Sequence, residues 1–328
     1  MADNTQEPEG DDAFRRQDLY GTSIESTYAG ALSFMRRKYT RDLAGVDVVV
    51  SGIPFDCAVS NRPGTRFGPE AIRKASAQFA WGPVWPWMFD PFDTLAVVDY
   101  GDCWFDYGAP ASIDDAIERH AGEILDAGAS MLTLGGDHYV TYPLLKAHAK
   151  VHGPLALIQF DAHRDVEPDE TRRIDHGAMF RYAIDDGVID PNRSVQVGIR
   201  TTFHGERTYG MKILYADQVH NSSARDIARE IAATVDGNKA YLTFDIDCLD
   251  PAYAPGTGTP VPGGLSSHQA LSILREMRNI DIVGADVVEV SPTYDVGEVT
   301  SLAAAQVALE YLCLRAALQG ADVEPMPE

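Results

Sequence analysis

The run Leu155-Ala-Leu-Ile-Gln-Phe160 carries no charge and no polar alternation, so it reads as a strand buried on both faces. Such a strand belongs in a mostly parallel sheet with helices on either side, because only that arrangement hides both faces. Comparable runs recur at Val46–Ser51, Leu95–Asp99, Met131–Leu134, Ser194–Ile199, Lys239–Phe244 and Ile282–Val290. Helical spacing appears at Pro69–Ser76, with proline at the first position, and at Thr141–Val151, Ser267–Arg278 and Leu302–Gln319. A further helix is expected to open at Ser112 and Asp115 as a capping box and to close at Gly128, with Ile113, Ile117, Ile124 and Leu125 on one face. This βαβ rhythm predicts an α/β fold of three layers, a mostly parallel central sheet covered by helices. No linker or repeat interrupts it, so residues 21–328 are expected to form a single domain. Residues 1–20, acidic and poor in large apolar side chains, read as a disordered or loosely docked tail.

The charge balance narrows the partners. With 27 Lys and Arg against 49 Asp and Glu, a formal charge of −22, the chain has no basic face for a phosphate backbone, which argues against nucleic acid. No apolar stretch is read as approaching the roughly 20 residues that span a bilayer, and the acidic start does not resemble an export signal. The cysteines, Cys57, Cys103, Cys248 and Cys313, are scattered without C-x-x-C spacing. A cytoplasmic protein with reduced thiols and no membrane partner is the expectation.

The chemistry collects where the strands run out. Gly135-Gly-Asp-His138 follows one, Asp161-Ala-His-Arg-Asp165 a second, Asp245-Ile-Asp247 a third, and Val288-Glu-Val290 ends a fourth. Residues i, i+2 and i+4 of an extended chain project to one side, so Asp161, His163 and Asp165 can converge, as can Asp245 and Asp247. The carboxyl edge of an open α/β sheet is where ligands bind. Together with His138 these residues offer six ligands, four carboxylates and two imidazoles, suited to Mn²⁺ or a similar divalent ion rather than to a closed structural zinc site. Two such ions about 3.5–4 Å apart would lower the pKa of a shared water, which makes hydrolysis the natural reaction.

In this order, Gly-Gly-Asp-His, Asp-Ala-His-x-Asp, Asp175-His176-Gly177, Asp-Ile-Asp-x-x-Asp-Pro and Pro255-Gly-Thr-Gly-Thr-Pro-Val-Pro-Gly-Gly264 resemble the ureohydrolase family of arginases and agmatinases. Arg62-Pro-Gly-Thr-Arg-Phe-Gly-Pro-Glu-Ala-Ile-Arg73 agrees, and the bacterial agmatinases are the most similar group. The resemblance implies an arginase-like domain with two Mn²⁺ ions, Ni²⁺ or Co²⁺ being alternatives, held by His138, Asp161, His163, Asp165, Asp245 and Asp247. It implies attack of metal-bound hydroxide on a guanidinium carbon with release of urea, Asp165 sharing in catalysis as a ligand. His176 would shuttle a proton to the leaving amine and Glu289 would hold the guanidinium, while Asp137 and Asp250 would orient ligands. Agmatine, giving putrescine and urea, heads the substrates. Guanidinobutyrate, guanidinopropionate, guanidine and a biguanide such as metformin are alternatives, as is a metal-retaining subunit supporting an active paralogue in a hetero-oligomer. A homo-oligomer, trimer or hexamer, is implied otherwise.

Two departures fall beside the ligands. Arg164 stands where a small or polar residue is usual, and Ala178 where Thr or Ser follows the histidine-glycine pair. An arginine there would repel the ammonium of agmatine or clamp a carboxylate tail; alternatively it points outward onto a loop acid. Met35-Arg36-Arg37-Lys38 also departs from the usual Leu-Pro after Met-Arg. His120, His148 and His152 read as solvated, and Trp81-Gly-Pro-Val-Trp-Pro-Trp87 as a packed loop or a subunit contact.

Overall fold

Every strand pairing among the described residues, 10–203 and 207–321 of the computed structural model, is parallel. The strands are β1 (Lys38–Tyr39), β2 (Val48–Gly52), β3 (Val97–Asp102), β4 (Ser130–Leu134), β5 (Ala156–Phe160), β6 (Val195–Ile199), β7 (Lys212–Tyr215), β8 (Ala240–Asp245) and β9 (Ile282–Val288). They form one sheet in the order β1-β3-β2-β4-β9-β8-β5-β6-β7. The central strands β2, β5, β8 and β9 are buried at every position, as their uninterrupted apolar runs require.

Two cores lie on the two faces. Leu132, Leu134, Ile158, Phe160, Leu242 and Phe244 pack on one side against the helices α2 (Gly68–Ser76), α7 (Ala224–Val235), α8 (Ser267–Glu276) and α9 (Val299–Leu318). Met131, Leu155, Leu157, Tyr241 and Val283 pack on the other against α3 (Ile113–Asp126), α4 (Thr141–His152) and α5 (Met179–Asp185). The three expected layers are therefore present. Helix α9 is 20 residues long with a mean hydropathy of 1.3, so by length and composition it does reach the span the sequence reading found nowhere. It is a core helix: most of its residues are buried, and Glu310 within it is held by Arg275 and by Trp87 Nε1.

Several local expectations change. Ser112 does not cap α3 through its side chain; a 3₁₀ turn, Pro110–Ser112, runs straight into the helix and the Ser112 hydroxyl donates back to Ala109 O instead. Residues 1–9 of the expected tail lie outside the described residues. The remainder is docked, since α1 (Asp12–Arg15) buries Ala13 completely and the amides of Asp11 and Asp12 donate to the Glu25 carboxylate at 2.9 and 3.1 Å. Arg36 and Arg37 are buried as well, and the Arg36 guanidinium donates to the carbonyls of Ala29 and Ala31, bracing the segment that leads into β1. His120 and His148 are not solvated: His120 Nε2 sits 2.6 Å from Ser51 Oγ, and the fully buried His148 donates through Nδ1 to Leu144 O. Of the tryptophans, Trp87 is buried while Trp81 and Trp85 are exposed.

Candidate metal centre

The four strands that precede the chemical residues, β4, β9, β8 and β5, are immediate neighbours at the middle of the sheet. Because they are parallel, their carboxyl ends share one edge. Register does the fine placement: Phe160 pairs with Phe244, their rings stack at 5.3 Å, and the next residues, Asp161 and Asp245, emerge side by side. After β4 the chain turns at Gly136, where an added Cβ would stand 1.8 Å from Phe55 O, so only glycine lets this loop pass. Asp137 then fixes the turn by accepting from Ala58 N at 2.8 Å and Tyr139 N at 3.2 Å. That places His138.

His138 Nδ1 lies 3.1 Å from Asp161 Oδ2, 3.0 Å from Asp165 Oδ2 and 3.2 Å from Asp245 Oδ2. It is buried and makes no well-directed hydrogen bond to any of them. His163 Nδ1 lies 3.0 Å from Asp247 Oδ2 and 3.5 Å from Asp161 Oδ1. Ligands about 2.1 Å from a common ion at right angles stand about 3 Å apart, so both groupings have the spacing of donors gathered round a cation. Asp161 contributes one oxygen to each. The six residues named from the sequence thus converge into two adjoining sets, His138 with Asp161, Asp165 and Asp245, and His163 with Asp161 and Asp247.

The charges inside this cluster show why a cation suits it. Burial pushes the Asp165 carboxyl up to about 7, helped by the charge of Asp161, and burial with Asp247 and Asp161 pushes Asp245 well above the usual carboxylate range. Burial opposes a charge on His138 too, yet the proximity of Asp161, Asp165 and Asp245 raises it well above its usual value. Asp165 and Asp245 therefore hold protons in this company unless positive charge replaces them. The donor set fits two divalent ions on that ground and on the orphaned nitrogen of His138.

Surrounding groups hold the ligands in orientation. Thr243 Oγ1 donates to Asp286 Oδ1 at 2.6 Å, so its hydroxyl proton is spent and it must accept from His138 Nε2–H at 2.8 Å. That leaves Nδ1 as the free lone pair. Asp286 is anchored in turn by Thr141 and Tyr241, each at 2.9 Å. The Arg200 guanidinium donates to the carbonyls of Asp247, Gly198, Cys248 and Val261, tying the third ligand loop to the glycine-rich segment. Asp250 accepts from the amides of Ala252, Gly263 and Gly264, so it braces the loop rather than touching a ligand. The sequence reading did not find Thr243, Asp286, Arg200 or Ser60. For Thr243 and Asp286 the signal available was a polar residue inside an otherwise apolar strand; Arg200 and Ser60 lie in loops, where no local pattern marks them.

A cavity of about 400 Å³ opens over the cluster, walled by His163, Asp165 and Asp245 together with Ser60, Thr259 and His176. His176 Nδ1 is 2.9 Å from Glu289 Oε1, and its Nε2 is 2.8 Å from Ser60 Oγ and 3.2 Å from Ser60 N. Burial would depress this imidazole, but the bond to Glu289 and the charges of Glu289, Asp165 and Asp137 overcome it and push it up to about 9. Glu289 stands behind His176 rather than on the cavity wall, in a left-handed backbone conformation, φ 61°, held by its N–H on Gly136 O. Its Oε1 already accepts from His138 N and His176, while Oε2 is buried without a partner. Arg164 is buried, its Nε donating to Gln196 Oε1 at 2.9 Å, although part of the residue still borders the cavity. Ala178 is fully buried in the turn that starts α5.

The sequence model of the arginase family, "Arginase family", matches residues 46–313. An agmatinase of Chromobacterium violaceum is 58% identical over 307 residues, covering 93% of this chain and 95% of the relative. Among solved structures, a hypothetical agmatinase from Burkholderia thailandensis superposes with a TM-score of 0.93 at 58% identity, covering 95% of this chain and 99% of that one. Proclavaminate amidino hydrolase from Streptomyces clavuligerus gives a TM-score of 0.84 at 40% identity, covering 89% and 99%.

Proposed function

We propose that this chain, which belongs to the arginase family and is a hydrolase of the carbon–nitrogen bond of a guanidino compound, acts on agmatine and releases putrescine and urea. The observation that carries the reading is the convergence of His138, Asp161, Asp165, Asp245, His163 and Asp247 at the foot of a cavity that His176 also lines. Two divalent ions on these ligands, Mn²⁺ first among the candidates, would supply a water activated as a nucleophile near neutral pH. The residues around it do the rest.

Glu289 Oε2 is the acceptor left over in a buried setting, which suits one edge of a guanidinium reaching past His176. His176 is poised to carry a proton. Its Nδ1–H is fixed on Glu289, so Nε2 is the exchanging nitrogen, and Ser60 serves both states: its N–H can donate to the neutral ring and its Oγ can accept from the charged one. A pKa near 9 keeps the ring protonated at neutral pH, ready to protonate the leaving amine.

The rim favours a cationic tail. Arg173 is engaged with Asp175 at 2.8 Å and Arg164 Nε with Gln196, whereas Glu167 adds negative charge to the cavity wall. Glu167 and the pairing of Arg173 offset the repulsion of agmatine by Arg164, whose charge the neutral Gln196 leaves in place. Residues 21–328 act as one catalytic unit in this reading, assembled as a homo-oligomer. Urea release by the purified chain with Mn²⁺ or Ni²⁺ is the test, run against agmatine, guanidinobutyrate, guanidinopropionate, guanidine and metformin. Agmatine should turn over best. No turnover of any of them with metal bound would defeat the proposal, and preference for guanidinobutyrate would return Arg164 to the role of a carboxylate clamp.

A further inference from the structure

Two glutamines are buried within the sheet, where an unpaired amide is costly. Gln159 of β5 and Gln196 of β6 are both fully buried and are direct register partners in the parallel pair. Gln159 precedes Asp161 by two residues and so projects to the same side of the chain. Its Nε2 donates to Asp161 Oδ2 at 2.7 Å and to His163 O at 3.2 Å. Gln196 Nε2 donates to Gln159 Oε1 at 2.6 Å and to Arg164 O at 2.7 Å, and Gln196 Oε1 accepts from Arg164 Nε at 2.9 Å.

The direction of this chain is forced by its ends. A guanidinium can only donate and an ionised carboxylate can only accept, whereas an amide side chain can be turned end for end at little steric cost. Between a donor-only Arg164 and an acceptor-only Asp161, two amides have one orientation that satisfies every link. Turning either one would set oxygen against oxygen at Asp161 or nitrogen against nitrogen at Arg164. The second N–H of each glutamine closes on a carbonyl of the 161–165 loop, so the relay fixes both the carboxylate and the backbone that carries it.

We infer that Arg164 is a positioning residue for the metal site: through Gln196 and Gln159 it sets the bridging carboxylate of Asp161 so that Oδ2 faces the His138 set and Oδ1 the His163 set. The inference rests on the reading of Asp161 as a ligand shared by two ions. It gives the arginine inside the first acidic cluster a task toward the ions, additional to any contact at the cavity.

The test measures Mn²⁺ binding to metal-stripped protein by equilibrium dialysis, alongside thermal unfolding of the same stripped samples. Gln159→Leu is expected to weaken binding of at least one of the two ions 10–100-fold, the range for loss of a partner that orients a ligand. Arg164→Met should weaken it in the same direction, and the double variant should bind no worse than Gln159→Leu alone, because the groups act in series. Gln196→Glu decides between positioning and packing. It keeps the shape and still accepts from Arg164, but it cannot donate to Gln159, so it should lose affinity as Gln159→Leu does. Unsubstituted affinity for both ions in Gln196→Glu and Arg164→Met would overturn the relay, and if Gln159→Leu fails to fold, these two variants decide alone. A chain that binds no Mn²⁺ before any substitution would overturn the metal-site reading itself, and the relay with it.

Discussion

Thr243→Val isolates one hydroxyl in the metal site while preserving volume and branching at Cβ. In the structure that hydroxyl stands between His138 Nε2, at 2.8 Å, and Asp286 Oδ1, at 2.6 Å, all three residues being buried. The valine leaves the His138 N–H without an acceptor, at a cost of about 1–3 kcal/mol. Asp286 keeps Thr141 and Tyr241, so its loss falls at the low end of that range. The effect on the ions comes through the ring, which is no longer held with Nδ1 toward Asp161, Asp165 and Asp245. A 10–100-fold loss of Mn²⁺ affinity follows from the loss of such a partner, or about 1.4–2.8 kcal/mol at one decade per 1.4 kcal/mol. Competition of the stripped protein with a fluorescent chelator reads the affinity, and urea unfolding of the same sample reads the fold. Lowered stability with unchanged Mn²⁺ affinity would refute the reasoning, since the hydroxyl would then support the core and not the ligand.

Three further outcomes are expected. His176→Ala should retain both ions and lose about 10²–10⁴-fold in kcat; in the unsubstituted protein the rate should fall as pH rises through about 9, where the ring gives up its proton, and activity near that of the parent would remove His176 from proton transfer. His148 is held neutral by burial, its pKa lowered to about 4 from an ordinary 6.5, so the unfolded chain binds the extra proton between those values. Its contribution to stability is therefore complete above about pH 6.5 and falls by up to about 1.4 kcal/mol per pH unit below it; His148→Gln should flatten the acid limb of urea unfolding, and an unchanged limb would contradict the burial argument. Arg275→Met should destabilise the chain by about 3–5 kcal/mol by leaving the fully buried Glu310 without its cation, whereas a change below about 1 kcal/mol in chemical unfolding would show that Trp87 and Gln306 suffice.

The sheet was legible because its central strands are runs that no other structure would bury, and the cluster of His and Asp was legible because its members sit where such runs end. The edge was not. Strand β1 is two residues long, and β7, Lys212–Tyr215, is four residues long and largely uncovered, so neither is an uninterrupted apolar run of the length that marks a buried strand. Helix α7 escaped although Ile227, Ile231 and Val235 stand at helical spacing on its buried face; that signal was present and went unread. Ser112 misled because a capping motif specifies side-chain chemistry, whereas the Pro110–Ser112 turn had already placed the serine outside the extended conformation a cap needs. At the site, residue types revealed the ligands but not what orients them. Gln159, Gln196 and Thr243 are single polar letters in apolar strands, and their purpose depends on which strands are neighbours, which no local pattern contains.

The adjacency of β4, β9, β8 and β5 has a consequence for how such a protein can change. Strands in a hydrogen-bonded sheet keep a spacing of about 4.8 Å, so donors that leave from their tips inherit a separation set by peptide geometry rather than by loop composition. The cavity wall is governed differently: Glu167, Arg173 and Asp175 lie on one long excursion after β5, tethered at its two ends by the amide of Glu167 on Gly177 O and the amide of Phe180 on Asp165 O. Substitutions along that excursion can exchange one substrate tail for another while the spacing of the strand-tip carboxylates stays put. Selection for a new guanidine therefore has a place to act that leaves the strand tips alone, so long as it spares His176, which lies on the same excursion.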